Sequence, residues 1–126
     1  FPIWHKDADL YLVNLADGTV STLERLNSPD VDSYHSWSSS GRWVVFSSRR
    51  DDGLYTKPYL AHIDAEGKAS KPFLLPQKNP REFYLRLMVS YNIPEFITGK
   101  VKAGPDDFAR TAIEGTAVGV TSRKSL

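Results

Sequence analysis

A strand–turn–strand pattern occurs twice in this 126-residue chain, and this repeat limits the fold more than any other feature. Residues 59–63 (YLAHI) align with residues 11–15 (YLVNL), 48 positions earlier. In each copy an acidic–glycine turn follows, and then a polar strand that ends in leucine. Strand repeats of about 40–50 residues are typical of β-propeller blades rather than of helical arrays. Two ordinary hairpins that match by chance are the alternative explanation.

The first 77 residues carry the signals of strands joined by tight turns. Aromatic residues make up 12% of the chain and occur mostly before residue 92, together with β-branched runs, a composition that favours strands. Asp17-Gly18 is a strong hairpin signal, and the apolar run at 43–47 is expected to be a buried inner strand. The predicted strands are 9–15, 19–23, 33–37, 43–47, 59–64 and 69–75. Their expected inward-facing side chains are Tyr11, Val13, Trp43, Val45, Tyr59 and Ile63.

The character of the sequence changes from Pro76 onward, where prolines at 76, 80, 94 and 105 interrupt the chain. Pro105 followed by two aspartates predicts a short helix that runs to about Glu114 and stops at Gly115. The apolar run at 83–89 is left without an assigned element, and a final strand is expected at 117–121. The predicted organisation is a propeller blade fragment at residues 1–77, followed by an extension at residues 78–126 that packs on the edge of the blade.

Composition removes several classes of function. Sixteen basic and fifteen acidic residues give a net charge of +1, without the basic excess of a nucleic-acid binder. The chain has no cysteine, which excludes disulfides and thiol catalysis, and no apolar run long enough to span a bilayer. Its three histidines are too widely spaced to form a zinc pair, and it lacks a Gly-x-Ser-x-Gly elbow. We therefore expect no catalytic set, cofactor, metal, nucleic acid or membrane insertion.

Residues 36–55 (SWSSSGRWVVFSSRRDDGLY) resemble the blade signature of TolB-like β-propellers. That signature is a tryptophan, Ser-Pro-Asp-Gly, a basic residue, an apolar strand ending in Phe-Ser-Ser, and a charged turn before Leu-Tyr. Trp37 takes the tryptophan position and Gly41 closes the turn, whereas Ser39 and Ser40 replace the usual Pro-Asp. The resemblance covers about residues 1–77. It implies a mainly β fold of antiparallel propeller-like blades, half a blade plus one full blade, with an irregular C-terminal segment containing a short helix.

The resemblance also implies a function. A TolB-like segment is expected to be a non-catalytic protein-interaction scaffold in the bacterial periplasm, where it docks other cell-envelope proteins. One alternative is an accessory propeller that screens substrates for a larger hydrolase of the prolyl-oligopeptidase type, with its catalytic triad in another domain. Carbohydrate binding through the tryptophans is a weaker alternative. We expect the chain to be a piece of a longer propeller, whose exposed strand edges also allow self-association.

Residues 49–55 are the candidate binding site. Rim loops of propellers carry recognition because the scaffold holds them rigidly, and the residues predicted for such a rim are Arg49, Arg50, Asp51, Asp52 and Tyr55. The default alternative is mutual neutralisation of the arginines and aspartates in a solvated turn. Under the rim hypothesis, replacing both arginines with alanine leaves folding intact and weakens partner binding.

Overall fold

The computed structural model describes residues 2–115, and within them the fold is mainly antiparallel β. The strands are β1 (Tyr11–Val13), β2 (Val20–Thr22), β3 (Asp32–Trp37), β4 (Trp43–Ser48), β5 (Lys57–His62) and β6 (Phe73–Leu74). A 3-10 turn covers Pro2–Trp4, and the helices are α1 (Pro80–Leu85) and α2 (Pro105–Glu114). The prediction of a mainly β chain with a short helix near its C-terminal end is confirmed.

β1 and β2 form a two-stranded hairpin at the predicted position. Tyr11 pairs with Thr22 and Val13 with Val20. Gly18 in the turn has a φ of 74°, which glycine adopts without the clash that a Cβ atom would introduce. The side chain of Asp17 accepts a hydrogen bond from the Thr19 amide at 2.8 Å, so the Asp-Gly signal describes the turn correctly.

β3, β4, β5 and β6 form a four-stranded sheet in the order of the sequence. The central strands β4 and β5 pair along their whole length, from Trp43 opposite His62 to Ser48 opposite Lys57. β3 pairs with β4 with a register shift between Ser33 and Ser36, a stretch in which Tyr34 has a φ of 51°. The sheet is open, with β3 and β6 as its edge strands.

The hydrophobic core lies between the hairpin and one face of the four-stranded sheet. Its buried members are Leu10, Leu23, Leu26, Val44, Phe46, Tyr59, Ala61, Ile63 and Ala69, and Leu12 and Leu74 pack against them. The hairpin therefore contributes the face that carries Leu10 and Leu12. The sheet contributes the face that carries Phe46 and Tyr59.

Three of the six residues predicted to face inward are buried, and the prediction is wrong for the other three. Val45, Tyr59 and Ile63 are buried, but Tyr11 is 57% exposed, Val13 50% and Trp43 39%. Tyr11 and Val13 lie on the side of β1 opposite Leu12, because neighbouring residues of a strand point to opposite faces. Trp43 lies at the start of β4, where its ring packs edge-on against His62 and Phe73.

Residues that follow β6 cover the other face of the sheet. The Ser47 hydroxyl, on that face, lies 2.6 Å from the Tyr91 carbonyl oxygen and 2.9 Å from that of Asn92. The Thr56 hydroxyl donates to the Asn92 side chain at 2.7 Å. The Tyr84 hydroxyl of α1 donates to the carbonyl of Leu75 at 2.7 Å. The segment 76–96 is thus part of the same compact unit as the sheet.

The chain divides into two compact units, Phe1–Phe96 and Ile97–Leu126. The boundary expected after residue 77 lies inside the first unit, because α1 and the segment after it hydrogen-bond to the sheet. In the second unit, α2 has the predicted bounds, with Asp107 accepting from the Gly104 amide at 2.8 Å. The strand expected at 117–121 lies outside the described residues. None of the helices within residues 2–115 has the length and apolar character needed to cross a membrane.

Candidate interaction site

The turn between β4 and β5 contains all five residues predicted for recognition. The Gly53 amide donates to the Arg49 carbonyl at 2.8 Å. The Asp52 carboxylate accepts from the amides of Leu54 and Tyr55 at 2.8 and 3.0 Å. These bonds fix the backbone of the turn, which is the property that a recognition loop on a rigid scaffold requires.

Arg50 is held inside the protein rather than presented to solvent. Its Nη2 lies 2.6 Å from Oδ1 of Asp32, whose side chain is fully buried, and its own side chain is only 18% exposed. The same nitrogen donates to the Leu26 carbonyl. The guanidinium stacks 4.8 Å from the centroid of the Tyr59 ring and 5.3 Å from that of Phe46, so cation–π attraction adds to the ion pair. Arg50 is therefore a structural cation.

Arg49 and Arg50 pair with Asp30, which precedes β3, and with Asp32, its first residue, rather than with the aspartates of their own turn. Arg49 Nε lies 3.1 Å from Oδ1 of Asp30, and both side chains are largely buried. Lys6 Nζ lies 3.9 Å from the other oxygen of Asp30. The two arginines thus connect the end of β4 to the segment that leads into β3.

Lys57 provides the positive charge for the aspartates of the turn. Its buried ammonium group contacts the carboxylate of Asp51 and lies 2.8 Å from that of Asp52. Burial acts to lower the pKa of Lys57, but hydrogen bonds to both aspartates outweigh it and raise this pKa above its ordinary value. For Asp52, burial acts to raise the pKa. The bond from Lys57 and the amides of Leu54 and Tyr55 lower it overall.

The accessible part of the turn is therefore smaller than the predicted set. Asp51 and Leu54 are exposed, Asp52 is partly exposed, and Tyr55 is half-buried. The structural partners Asp30, Asp32 and Lys57 were missed as members of this site. Asp30 and Asp32 had a sequence signal of their own, as two alternating carboxylates. No local pattern linked them to the arginines, which lie 19 and 18 positions later.

A cavity of about 260 Å³ lies on the second face of the sheet, within the first unit. Val45 and Leu60 form its floor, and aromatic side chains from the covering segment, including Phe83 and Tyr91, form its walls. Besides the hydroxyls of Tyr84 and Tyr91, the polar side chains of this lining are those of Gln77 and Glu95. This lining has the character of a packing defect between the sheet and its cover rather than of a reaction site.

The described residues do not gather a metal-binding cluster of three or more histidines, cysteines or carboxylates. His5 lies 4.0 Å from the exposed carboxylate of Asp7, and His62 packs against the ring of Trp43 at 5.2 Å. Their contacts are those of surface and packing residues. The chain matches no family model, no curated protein and no solved structure.

Proposed function

We propose that this chain is a segment of a TolB-like periplasmic β-propeller that acts as a non-catalytic protein-interaction scaffold. The observation that supports this most is the way in which its two equivalent hairpins stack. The β1–β2 hairpin presents its Leu12 face to the Tyr59 face of the sheet. In the repeat Leu12 is equivalent to Leu60, which lies on the opposite side of β5 from Tyr59. The two hairpins are equivalent in the repeat, but they meet through opposite faces, the Leu12 face of the first and the Tyr59 face of the second.

Head-to-tail contacts of this kind add further units in the same direction, until the array closes or an end is capped. The segment 76–96 covers the Leu60 face of the sheet through bonds to Ser47 and Thr56. Within the described residues, the Tyr11 face of the β1–β2 hairpin is left open. A preceding repeat unit would pack on this open face.

The hydrogen bonds support the equivalence of the two hairpins. The Leu23 amide donates to the Leu10 carbonyl at 3.4 Å, and the Leu75 amide donates to the Pro58 carbonyl at 2.9 Å. Pro58 follows Leu10 by 48 positions, the spacing of the repeat. Tyr11 pairs with Thr22 as Tyr59 pairs with Leu74. A chance match of sequence would not lead us to expect matching strand pairings.

The proposed recognition element is the tip of the β4–β5 turn. The ion pairs of Arg50 with Asp32 and of Lys57 with Asp51 and Asp52 anchor this turn from beneath. Leu54 is then the apolar contact for a partner protein of the cell envelope, and Asp51 provides a negative charge beside it. Binding through a rigid turn needs no catalytic group.

Site-specific photo-crosslinking in living cells tests this function. A photoreactive residue replaces Leu54 in the natural gene product, and a matched control replaces Glu66 in the β5–β6 turn, which is also exposed. We expect a discrete protein adduct at position 54 in the periplasmic fraction and none at position 66. The same adducts at both positions, or none at either, would contradict the proposal. Cleavage of a proline-containing chromogenic peptide by the purified product would favour the hydrolase alternative.

A further inference from the structure

The strand β1 uses only one of its two hydrogen-bonding edges within the described residues. The Leu10 carbonyl accepts from the Leu23 amide, and the Asn14 amide donates to the Thr19 carbonyl. Residues 10, 12 and 14 therefore direct their backbone groups toward β2. Because these directions alternate in an antiparallel pair, the N–H and C=O groups of Tyr11 and Val13 point away from β2.

The second copy of the repeat shows what occupies this edge. Tyr59 and Ala61 of β5 are equivalent to Tyr11 and Val13. They pair with Phe46 and Val44 of β4 in antiparallel orientation. The Ile63 amide donates to the Arg42 carbonyl at 2.8 Å, one pair further along the same edge. The edge of β5 that corresponds to the free edge of β1 thus binds an apolar extended strand.

The surface beside β1 is apolar and has room for such a strand. A groove of about 290 Å³ lies between β1 and β3 and is lined in part by Tyr11, Val13, Leu15, His35 and Trp37. It contains no lysine, arginine or carboxylate. Natural edge strands are usually protected by a lysine, a proline or a bulge, and β1 has none of these.

We propose that the free edge of β1 binds a strand of another repeat unit with the chemistry of β4, antiparallel to β1 and hydrogen-bonded to Tyr11 and Val13. The inference rests on the proposed function, because a repeat array is the source of such a strand. The added strand would be the first contact of this chain with the rest of the array. The apolar side chains of the added strand would fill the groove beside Trp37.

Amide hydrogen exchange of the 126-residue chain with a β4 peptide tests the proposal. The probe is a synthetic peptide of residues 41–50 (GRWVVFSSRR). At a peptide concentration ten times its Kd, we expect exchange of the Tyr11 and Val13 amides to slow about tenfold. Exchange of the Leu12 amide, which already faces β2, should change little.

Two N-methylated peptides provide the matched control. Methylation at Val44 and Phe46 removes the donors that face β1 and should abolish the slowing. Methylation at Val45 and Ser47 removes donors on the opposite edge and should preserve it. Equal effects of both peptides, or no slowing by the unmodified peptide, would overturn the proposal.

Variants of the protein separate the remaining outcomes. Val13→Pro removes an outward-facing donor, which an edge strand tolerates, and should weaken peptide binding with an unchanged circular dichroism spectrum. If the Tyr11 and Val13 amides are already protected in the chain alone and dilution removes this protection, a second copy occupies the edge and the proposal is wrong. Peptide binding at β1 without a crosslink at position 54 would retain the strand site and reject the scaffold function.

Discussion

Arg50 Nη2 lies 2.6 Å from Oδ1 of Asp32, and this ion pair joins the end of β4 to the start of β3. The other carboxylate oxygen of Asp32 accepts hydrogen bonds from the amide and hydroxyl of Ser28 at 2.6 and 2.8 Å. All the polar contacts of Asp32 are thus made inside the protein. The pair organises the base of the turn that we propose as the recognition element.

Arg50→Ala is expected to destabilise the fold, which replaces the expectation that both arginines are dispensable for folding. Loss of one partner of a buried ion pair leaves the other charge uncompensated and typically costs about 3–5 kcal/mol. That is a large part of a stability of about 5–15 kcal/mol. Urea unfolding, followed by tryptophan fluorescence, should show a markedly lower midpoint for this variant.

Arg49→Ala is the matched control for this experiment. We expect a smaller loss than for Arg50→Ala, because Lys6 and the Val31 amide remain as partners of Asp30. The double variant Asp32→Asn with Arg50→Ala should recover part of the loss, since the amide of asparagine carries no charge. Equal small losses for Arg49→Ala and Arg50→Ala would show that the Asp32 pair does not stabilise the fold.

The stability of the protein should depend on pH through Asp52 and Lys57. The folded-state pKa of Asp52 is lowered, so its contribution is present above the unfolded pKa of about 3.9 and is lost as the pH falls through the folded value. The folded-state pKa of Lys57 is raised. Its contribution is complete below the unfolded pKa of about 10.4 and is lost as the pH rises through the folded value. We therefore expect these contributions to be constant between about pH 5 and pH 9.

Asp52→Asn isolates the acid limb of this dependence. The asparagine side chain can still accept the hydrogen bonds of the Leu54 and Tyr55 amides, but it does not titrate. Urea midpoints measured from about pH 2.5 to pH 7 should fall less steeply for this variant than for the wild type. Parallel pH curves would mean that the carboxylate of Asp52 does not couple to folding.

Val45→Asp should prevent cooperative folding. Val45 is a buried residue of β4 on the face that the segment 76–96 covers, and an unpaired carboxylate in such a place costs several kcal/mol. Val13→Asp makes the same change at a half-exposed position and should leave the protein folded. Thermal unfolding followed by circular dichroism compares the two variants. A cooperative transition at the wild-type temperature in Val45→Asp would contradict the buried position of this residue.

Local patterns allowed the strands, the turns and α2 to be predicted from sequence. Runs of aromatic and β-branched residues bounded by turn signals located β1 to β5 within two residues at each end, and Asp17-Gly18 placed the first turn. Pro105 and Gly115 gave the bounds of α2, because both residues act on the backbone at their own positions. These signals need no knowledge of the tertiary structure.

Contacts between distant parts of the chain could not be predicted in the same way. β1 has apolar residues on both faces, so alternation alone did not show that Leu12 rather than Tyr11 faces the core. Arg50 was expected to neutralise the adjacent aspartates, yet its partner Asp32 lies 18 positions away. The hydrogen bonds of Ser47 to the covering segment span 44 and 45 positions. In each case the local sequence is compatible with more than one strand face or bonding partner, and tertiary packing determines which one is used.

Gly67→Ala should be more destabilising than Gly41→Ala, because Gly67 touches the hairpin that precedes the sheet. Both glycines have positive φ, 80° and 64°, so each alanine costs about 1–2 kcal/mol of backbone strain. A Cβ atom at Gly67 would also lie 3.0 Å from Cδ2 of Leu12, whereas nothing lies within 4 Å at Gly41. Urea unfolding in a Leu12→Ala background should remove the difference between the two variants. If the difference persists there, the hairpin does not pack against the β5–β6 turn through Leu12, and the head-to-tail stacking that supports the scaffold proposal loses one of its contacts.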